Sequence, residues 1–386
     1  MVHLKGLFVN DHEEGSTPLL PEAESYSFQH RRAESREIFL GRGKNLVLSI
    51  FLLLGSYSAI LIPAYLPTTQ PNWANESFSE EAKALLNQSA VLLSRVCQPQ
   101  WTRDRLQRLA ALSDLQEIPV FLQNGNEDEE LPPPMGLQGT GEMVNRTLST
   151  LPKTSLPSTP ETCRRCVVVG SGGILHSKHL GAHIDRYNII IRMNNAPVKG
   201  FERDAGSRTT IRLIYPEGAP HSPWEYHNTE IAALVAFKGL DFEWLTSVVT
   251  KEPLSWWSKL WFWKNVIDTI PLKAENFRIL NPKIVYKTRL VLQSYVKQQR
   301  TIIPTLGATA VVLALQLCDE VSLAGFGYDM QHPGALLHYY GTLRMDTMMT
   351  QVVHDVSAET LFLRQLVTEG VVHDLTGGIC QGAKCE

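Results

Sequence analysis

The sequence carries almost no net charge: 36 Lys and Arg against 39 Asp and Glu leave −3. No basic field draws such a chain to nucleic acid, so no nucleic-acid partner is expected. The chain lacks the His-Glu-x-x-His spacing that puts two zinc ligands on one helix face. It also has no Asp-x-Asp pair. An enzyme that neutralises a nucleotide diphosphate with a divalent cation usually shows such carboxylates, so the expectation is a site without metal and a monophosphate-type leaving group. The dinucleotide fingerprint is incomplete. After Gly170-Ser171-Gly172 the third glycine is replaced by Leu175, and the next strand ends in Arg192-Met193-Asn194-Asn195, with no acidic residue for an adenosine ribose. This argues against a dehydrogenase. No internal repeat is visible.

Charge is missing altogether from Asn45 to Pro71. The apolar heart of that run, Leu46 to Leu66, is about the ~20 residues a helix needs to cross a bilayer. Forty-four mostly polar residues precede it, which suits an uncleaved signal-anchor better than a cleaved signal peptide. Arg31, Arg32, Arg36, Arg42 and Lys44 flank its N-terminal side, and no basic residue follows until Lys83. The positive-inside rule then makes the tail cytosolic and the remainder lumenal, the topology of a single-pass type II membrane protein. The sequons at Asn75, Asn87 and Asn145 and all six cysteines lie beyond the run, as glycosylation and disulfide formation in an oxidising lumen would require.

The expected organisation is a cytosolic tail over 1–44, a transmembrane helix over 45–66, a stem and linker over 67–160 and a catalytic domain over 161–386. Within the stem, Glu80 to Val96 has helical periodicity. From Cys163 onward, short β-branched runs alternate with helical segments, predicting an α/β domain with a mainly parallel sheet flanked by helices. Predicted strands are Val167 to Val169, Asn188 to Met193, Thr210 to Ile214, Ile231 to Ala236, Phe277 to Leu280 and Val321 to Ala324, with a helix over Ala308 to Leu317.

Three groups of residues could carry chemistry. Val167-Val-Val-Gly170-Ser171-Gly172-Gly173 runs a buried strand into a glycine turn, which can expose backbone N–H groups to an anionic ligand or simply close a tight turn. Asn194 follows the next strand and could meet a ligand or serve the turn. Pro304-Thr305-Leu306-Gly307 begins the apolar helix, where Thr305 can cap it and the small Gly307 admits a phosphate; Gly325-Phe326-Gly327 follows the last predicted strand. His338 and His354, the latter with Glu359 five residues on, supply the side chains best suited to proton transfer near neutral pH and to stabilising a departing phosphate.

At these residues the chain resembles the animal sialyltransferases. Cys166 to Glu217 looks like their large motif, Thr305 to Tyr328 the small, His338-Tyr339-Tyr340 the third and His354-x4-Glu359 the very small. The resemblance implies a variant glycosyltransferase A-like, Rossmann-type fold and an inverting, metal-independent transfer from CMP-sialic acid, with no cofactor besides that donor. It assigns Ser171, Asn194, Asn281, Thr305, Gly307 and Gly327 to the CMP moiety, His338 to its phosphate and His354 to the acceptor proton. Many members have Asn where this chain has Ser171, which shortens that contact. It further implies disulfides Cys166–Cys318 and Cys97–Cys163; Cys380 with Cys385 is the remaining pair. The implied partners are the donor, a galactose-terminated glycolipid or glycoprotein and the Golgi membrane, with a homo-oligomer left open.

Within the family the chain is similar to the β-galactoside α2,3 group, through Tyr215-Pro-Glu-Gly-Ala and His338-Tyr-Tyr, and to its lactosylceramide branch through Gly170-Ser-Gly-Gly-Ile-Leu-His176, Trp261-Phe-Trp-Lys264 and Glu369-Gly-Val-Val. Asp204 departs from that branch, whose members have His there. Galactosylceramide, another glycolipid and the Gal-GlcNAc ends of N-glycans stay open as acceptors. A nucleotide-sugar-binding protein without turnover is the reading from a different class. Trp256 to Trp263 holds four of eight tryptophans, either packed on the sheet or partly exposed to sugar or membrane.

Overall fold

Val167 to Val169 and Ile189 to Ile191 offer apolar side chains to both faces of a strand, which calls for helices above and below. The computed structural model describes residues 78–107, 112, 118–123, 130–153, 163–296, 302–327, 332, 334–346 and 354–380. Its sheet is wholly parallel: β1 (Arg165–Val169), β2 (Ile189–Met193), β3 (Thr209–Ile214), β4 (Thr229–Leu234), β5 (Phe277–Ile279), β6 (Glu320–Ala324) and β7 (Val372–Asp374) stand in the order β5-β4-β3-β2-β1-β6-β7. Every residue of β2 and β3 is buried. The six predicted strands are there, within two residues at each end. The seventh was not predicted, because Val372-His373-Asp374 is too short and polar to stand out.

The longer helices are α1 (Glu80–Ser94), α2 (Trp101–Leu106), α3 (Gly141–Thr150), α4 (Gly239–Thr250), α5 (Pro282–Gln293), α6 (Leu306–Leu317) and α7 (Val356–Thr368). Helix α6 is buried along nearly its whole length and lies over β1, β2 and β6, so it has no polar face. Thr305 caps it by accepting from Ala308 N at 3.1 Å. A second apolar cluster lies between α3, α4 and the β4–β5 half of the sheet.

Part of the stretch expected as stem is folded into this unit, which spans 77–386. Helix α3 packs on α4, where buried Thr147 bonds Phe242 O at 3.1 Å and Thr246 Oγ1 at 2.9 Å; Phe121 bridges Leu280; and Cys97 is joined to Cys163. Proline and acidic residues in that stretch suggest solvated chain, yet its scattered apolar side chains are enough to dock it. Asn87 and Asn145 are exposed, on α1 and α3. The predicted transmembrane run 45–66 and Asn75 lie outside the described residues. Among the described residues no helix is long and apolar enough to cross a membrane.

Cys166 and Cys318 are also joined, tying β1 to the end of α6 across 152 residues of sequence. In a chain-entropy picture such a link is worth about 2–5 kcal/mol. Cys380 is disulfide-bonded as well; Cys385 lies outside the described residues.

Candidate active site

Strand order reverses between β1 and β6, since the connections on one side run toward β5 and on the other toward β7. A parallel sheet opens a crevice at the carboxyl ends of such strands, and ligands bind there. Both strands end in glycine turns that touch. Gly170 N donates to Ala324 O at 2.7 Å and Gly172 N to Gly325 O at 2.9 Å. A Cβ on Gly170 would overlap the Gly325 carbonyl, so the close approach of the turns requires glycine. Gly327, at φ +110°, lies against Gly378 in a backbone geometry that other residues resist.

The segment that carries His338 is laced onto the first turn. Gly172 and His338 form an antiparallel bridge, with Gly173 N donating to Leu337 O and Tyr339 N to Ser171 O, both at 3.0 Å. Tyr340 hydrogen-bonds the Ser171 side chain and stacks on His338, ring centroids 5.1 Å apart. Tyr339 is buried and donates to Pro197 O at 2.6 Å. Burial lowers the pKa of His338 below its ordinary 6.5. Burial thus favours the uncharged imidazole.

The fourth segment reaches the site through α6. Glu359, on α7, accepts from Thr305 N at 2.8 Å and from Thr305 Oγ1 at 2.7 Å. Burial pushes this carboxyl up to about 7, against the pull of the two Thr305 bonds. Two residues before Thr305, the Ile303 carbonyl lies 2.7 Å from His354 Nδ1. A carbonyl can only accept, so Nδ1 carries a proton and donates it to Ile303 O. The spacing His354-x4-Glu359 thus places both side chains on the Ile303–Thr305 segment, one on each side of Pro304. Gly307, one residue into α6, lies against the Phe326 ring between the two glycines after β6.

Asn194 follows β2 with φ +51°, and its buried Oδ1 has no hydrogen-bond partner among the described residues. Its backbone is held from below. Arg212 Nη1 donates to Asn194 O and Ala196 O, both at 2.9 Å, while Nη2 faces Glu225 at 3.4 Å. Arg192 sits beside Arg212 in register, fully buried, and donates to the Ala205 and Arg208 carbonyls and to Thr209 Oγ1. Burial lowers the pKa of Arg192 to about 10. Neither arginine was singled out from the sequence as a scaffold, although a strand arginine among isoleucines is the available sign of a buried, carbonyl-satisfied guanidinium.

Asn281 stands apart from the others. It caps α5, accepting from Lys283 N at 3.0 Å, at the end of edge strand β5, three strands from β2 and so roughly 14 Å from Asn194. Its buried Nδ2 has no partner among the described residues. Ser171, Gly327, Thr305, Gly307, His338 and His354 are linked around the β1–β6 crevice, and Asn194 closes its β2 side. Among the described residues no three His, Cys, Asp or Glu side chains gather as metal ligands.

The chemistry is legible from these parts. The amino end of α6 and two glycine turns favour an anion, and an imidazole beside them can exchange a proton. That combination suits a transferase, in which an anionic group leaves as a hydroxyl loses its proton. The family of transferases follows from comparison with known proteins. Glycosyltransferase family 29 (sialyltransferase) matches residues 121–371, and the chain belongs to that family. It is similar to the lactosylceramide alpha-2,3-sialyltransferase of Homo sapiens, 43% identical over 300 residues, 75% of this chain and 72% of the relative. It is also similar to a CMP-N-acetylneuraminate-beta-1,4-galactoside alpha-2,3-sialyltransferase of Mus musculus, 44% identical over 65% of this chain and 68% of that one. The crystal structure of a mammalian sialyltransferase superposes with a TM-score of 0.57 at 26% identity, covering 72% of this chain and 98% of the other.

Proposed function

We propose that this enzyme transfers sialic acid from CMP-sialic acid to the 3-hydroxyl of a terminal galactose, with inversion, and that its acceptor is lactosylceramide, giving a ganglioside. Support for the reaction comes from one observation above all, the hydrogen bond from His354 Nδ1 to Ile303 O. It fixes the tautomer, so Nε2 takes the proton of the attacking hydroxyl, and the resulting imidazolium keeps its Nδ1–H bonded. The donor's CMP lies across the crevice, with Ser171, Asn194, Thr305, Gly307 and Gly327 around it and Asn281 offering an unpartnered amide at the far end. As the glycosidic bond breaks through an oxocarbenium-like transition state, charge grows on the phosphate. His338 meets it, and the anion pulls that imidazole's pKa back up, so the histidine gains its proton as the donor binds.

The lactosylceramide acceptor is supported by the relatives of that name. Asp204, the residue that departs from that branch, accepts from Ser177 N and His179 N, both at 2.8 Å. Its carboxylate thereby closes the loop after the glycine turn. The relative that acts on a β-1,4-galactoside favours a second reading, Gal-GlcNAc ends of N-glycans. We further place residues 1–44 in the cytosol, anchor the chain in the Golgi membrane by 45–66 and put the folded unit in the lumen; the fold is a variant of the glycosyltransferase A type. The deciding experiment incubates the enzyme with CMP-sialic acid and lactosylceramide, galactosylceramide, an asialo-N-glycoprotein and a mucin-type acceptor. Product on lactosylceramide above the others is expected; product on the N-glycoprotein alone moves the acceptor, and CMP release with none of them overturns the reading.

A further inference from the structure

The segment between α4 and β5 is built with its indoles outward. Trp256, Trp257, Trp261 and Trp263 are 61, 63, 78 and 74% exposed and Leu260 67%, while Phe262 among them is 7% exposed. The segment is pinned from beneath. Trp244 Nε1 donates to Ile267 O at 2.8 Å, Val266, Ile267 and Ile270 are buried with Phe262, and the Lys238 ammonium sits 4.6 Å from the Phe262 ring centroid. Trp256 and Trp257 stack on each other at 3.7 Å, not on the sheet. Packing on the sheet, one of the two readings of this tryptophan run, is therefore not what the indoles do. Four indoles exposed this far leave on the order of 600 Å² of aromatic surface within eight residues of chain.

The patch belongs to the same end of the sheet as the crevice. Lys238 follows β4 and reaches Glu217 Oε1 at 2.7 Å, and Glu217 follows β3. The next residue, Gly218, faces Asn194, whose Oδ1 would lie 2.8 Å from a Cβ placed there. Indole is the side chain that settles at the boundary of acyl chain and headgroup; exposed Lys264 stands among the indoles, while Lys259 is paired with Asp268 at 2.7 Å. By sequence, ten residues (67–76) separate the end of the charge-free apolar heart from the folded unit. Fully extended they reach roughly 35 Å at most, too short a tether to keep the fold away from a bilayer that the run enters.

We propose that the Trp256–Trp263 face docks on the lipid–water interface and thereby sets the carboxyl end of the sheet against the membrane that holds a galactosyl lipid. The docking itself stands without the acceptor assignment; its use in catalysis rests on the glycolipid reading. The test reconstitutes the full chain in phosphatidylcholine vesicles with and without dibrominated acyl chains and compares it with a variant carrying Trp256→Ser, Trp257→Ser, Trp261→Ser and Trp263→Ser. Trp73, close to the apolar run, is quenched alike in both. In the variant most of the remaining bromine-dependent loss of emission should disappear; unchanged quenching overturns the proposal whatever the acceptor proves to be. If the fourfold variant does not fold, the pairs Trp256→Ser/Trp257→Ser and Trp261→Ser/Trp263→Ser are read instead, each of exposed residues only. In a second arm, KM for lactosylceramide in vesicles rises about ten-fold while kcat and KM for soluble lactose hold. An equal loss on lactose would put the indoles on the sugar and overturn the lipid assignment.

Discussion

Thr305→Val removes a hydroxyl that does two things at once. Oγ1 accepts from Ala308 N at 3.1 Å as the cap of α6 and donates to Glu359 Oε2 at 2.7 Å. Losing an N-cap costs about 1 kcal/mol, and leaving one oxygen of a buried carboxyl without its donor costs about 1.5–3 kcal/mol. Valine keeps the volume, so the expected destabilisation is about 2.5–4 kcal/mol. Thr305→Ser keeps both bonds and loses one methyl, about 1 kcal/mol. The assay is urea unfolding of the oxidised protein, read as a midpoint shift at constant slope, for both variants, Glu359→Gln and the Thr305→Val/Glu359→Gln double variant. The double-mutant cycle should return a coupling of about 1–2 kcal/mol. The pH dependence has a definite sign. Glu359 is raised from 4.5 to about 7, so its protonated form is the comfortable one: stability is full below 4.5 and falls as pH rises through about 7. Valine removes one of the bonds that hold the pKa down, so its folded-state pKa is higher still and its deficit should widen as pH rises above about 7. Equal losses for valine and serine, or a coupling of zero, would refute the argument that Thr305 and Glu359 act as one unit.

Other consequences are open to measurement. His354→Ala should lower turnover by about 10²–10⁴-fold with CMP affinity by calorimetry unchanged; near-normal turnover would remove it from the reaction. Because burial holds His338 below 6.5 and a bound phosphate raises it, CMP binding should take up a proton and tighten as pH falls from 7.5 to 6, by up to about ten-fold per unit. Calorimetry in buffers of different ionisation enthalpy reads that proton directly, and His338→Gln should abolish it. Removing the Cys166–Cys318 link as Cys166→Ala/Cys318→Ala should cost about 2–5 kcal/mol in denaturant unfolding and weaken CMP binding, since it loosens β1 against α6.

Much of the sheet was legible because parallel strands buried on both faces leave unbroken β-branched runs, as at Ile189 to Ile191. Strand β7 was not, for at three residues its place is set by β6 beside it and not by its own pattern. The site was legible as a set of segments. The glycine turns, Thr305 and both histidines are types whose chemistry survives without coordinates. What joins them was not: the Ile303 carbonyl under His354, the Tyr340–Ser171 contact and the Arg212 support of Asn194 are backbone or cross-strand bonds with no sequence period. The outward indoles were undecidable for a similar reason, since an aromatic run reads alike whether it faces core or solvent.

The placement of β1 has a consequence for how the chain is made. It sits mid-sheet, between β2 and β6, and its cysteine waits for one 152 residues further along. At roughly 5–20 residues per second of synthesis, Cys166 and the β6-facing edge of β1 are exposed for about 8–30 s. During that interval Cys97 and Cys163 are the thiols already emerged, and Cys163 lies only three residues away. Correct pairing is therefore a matter of timing as well as geometry: Cys97 and Cys163 must find each other first, so that Cys166 is still unclaimed when Cys318 arrives. Yield in an expression host should follow its supply of disulfide isomerase, which undoes any early pairing of Cys166 with Cys97 or Cys163.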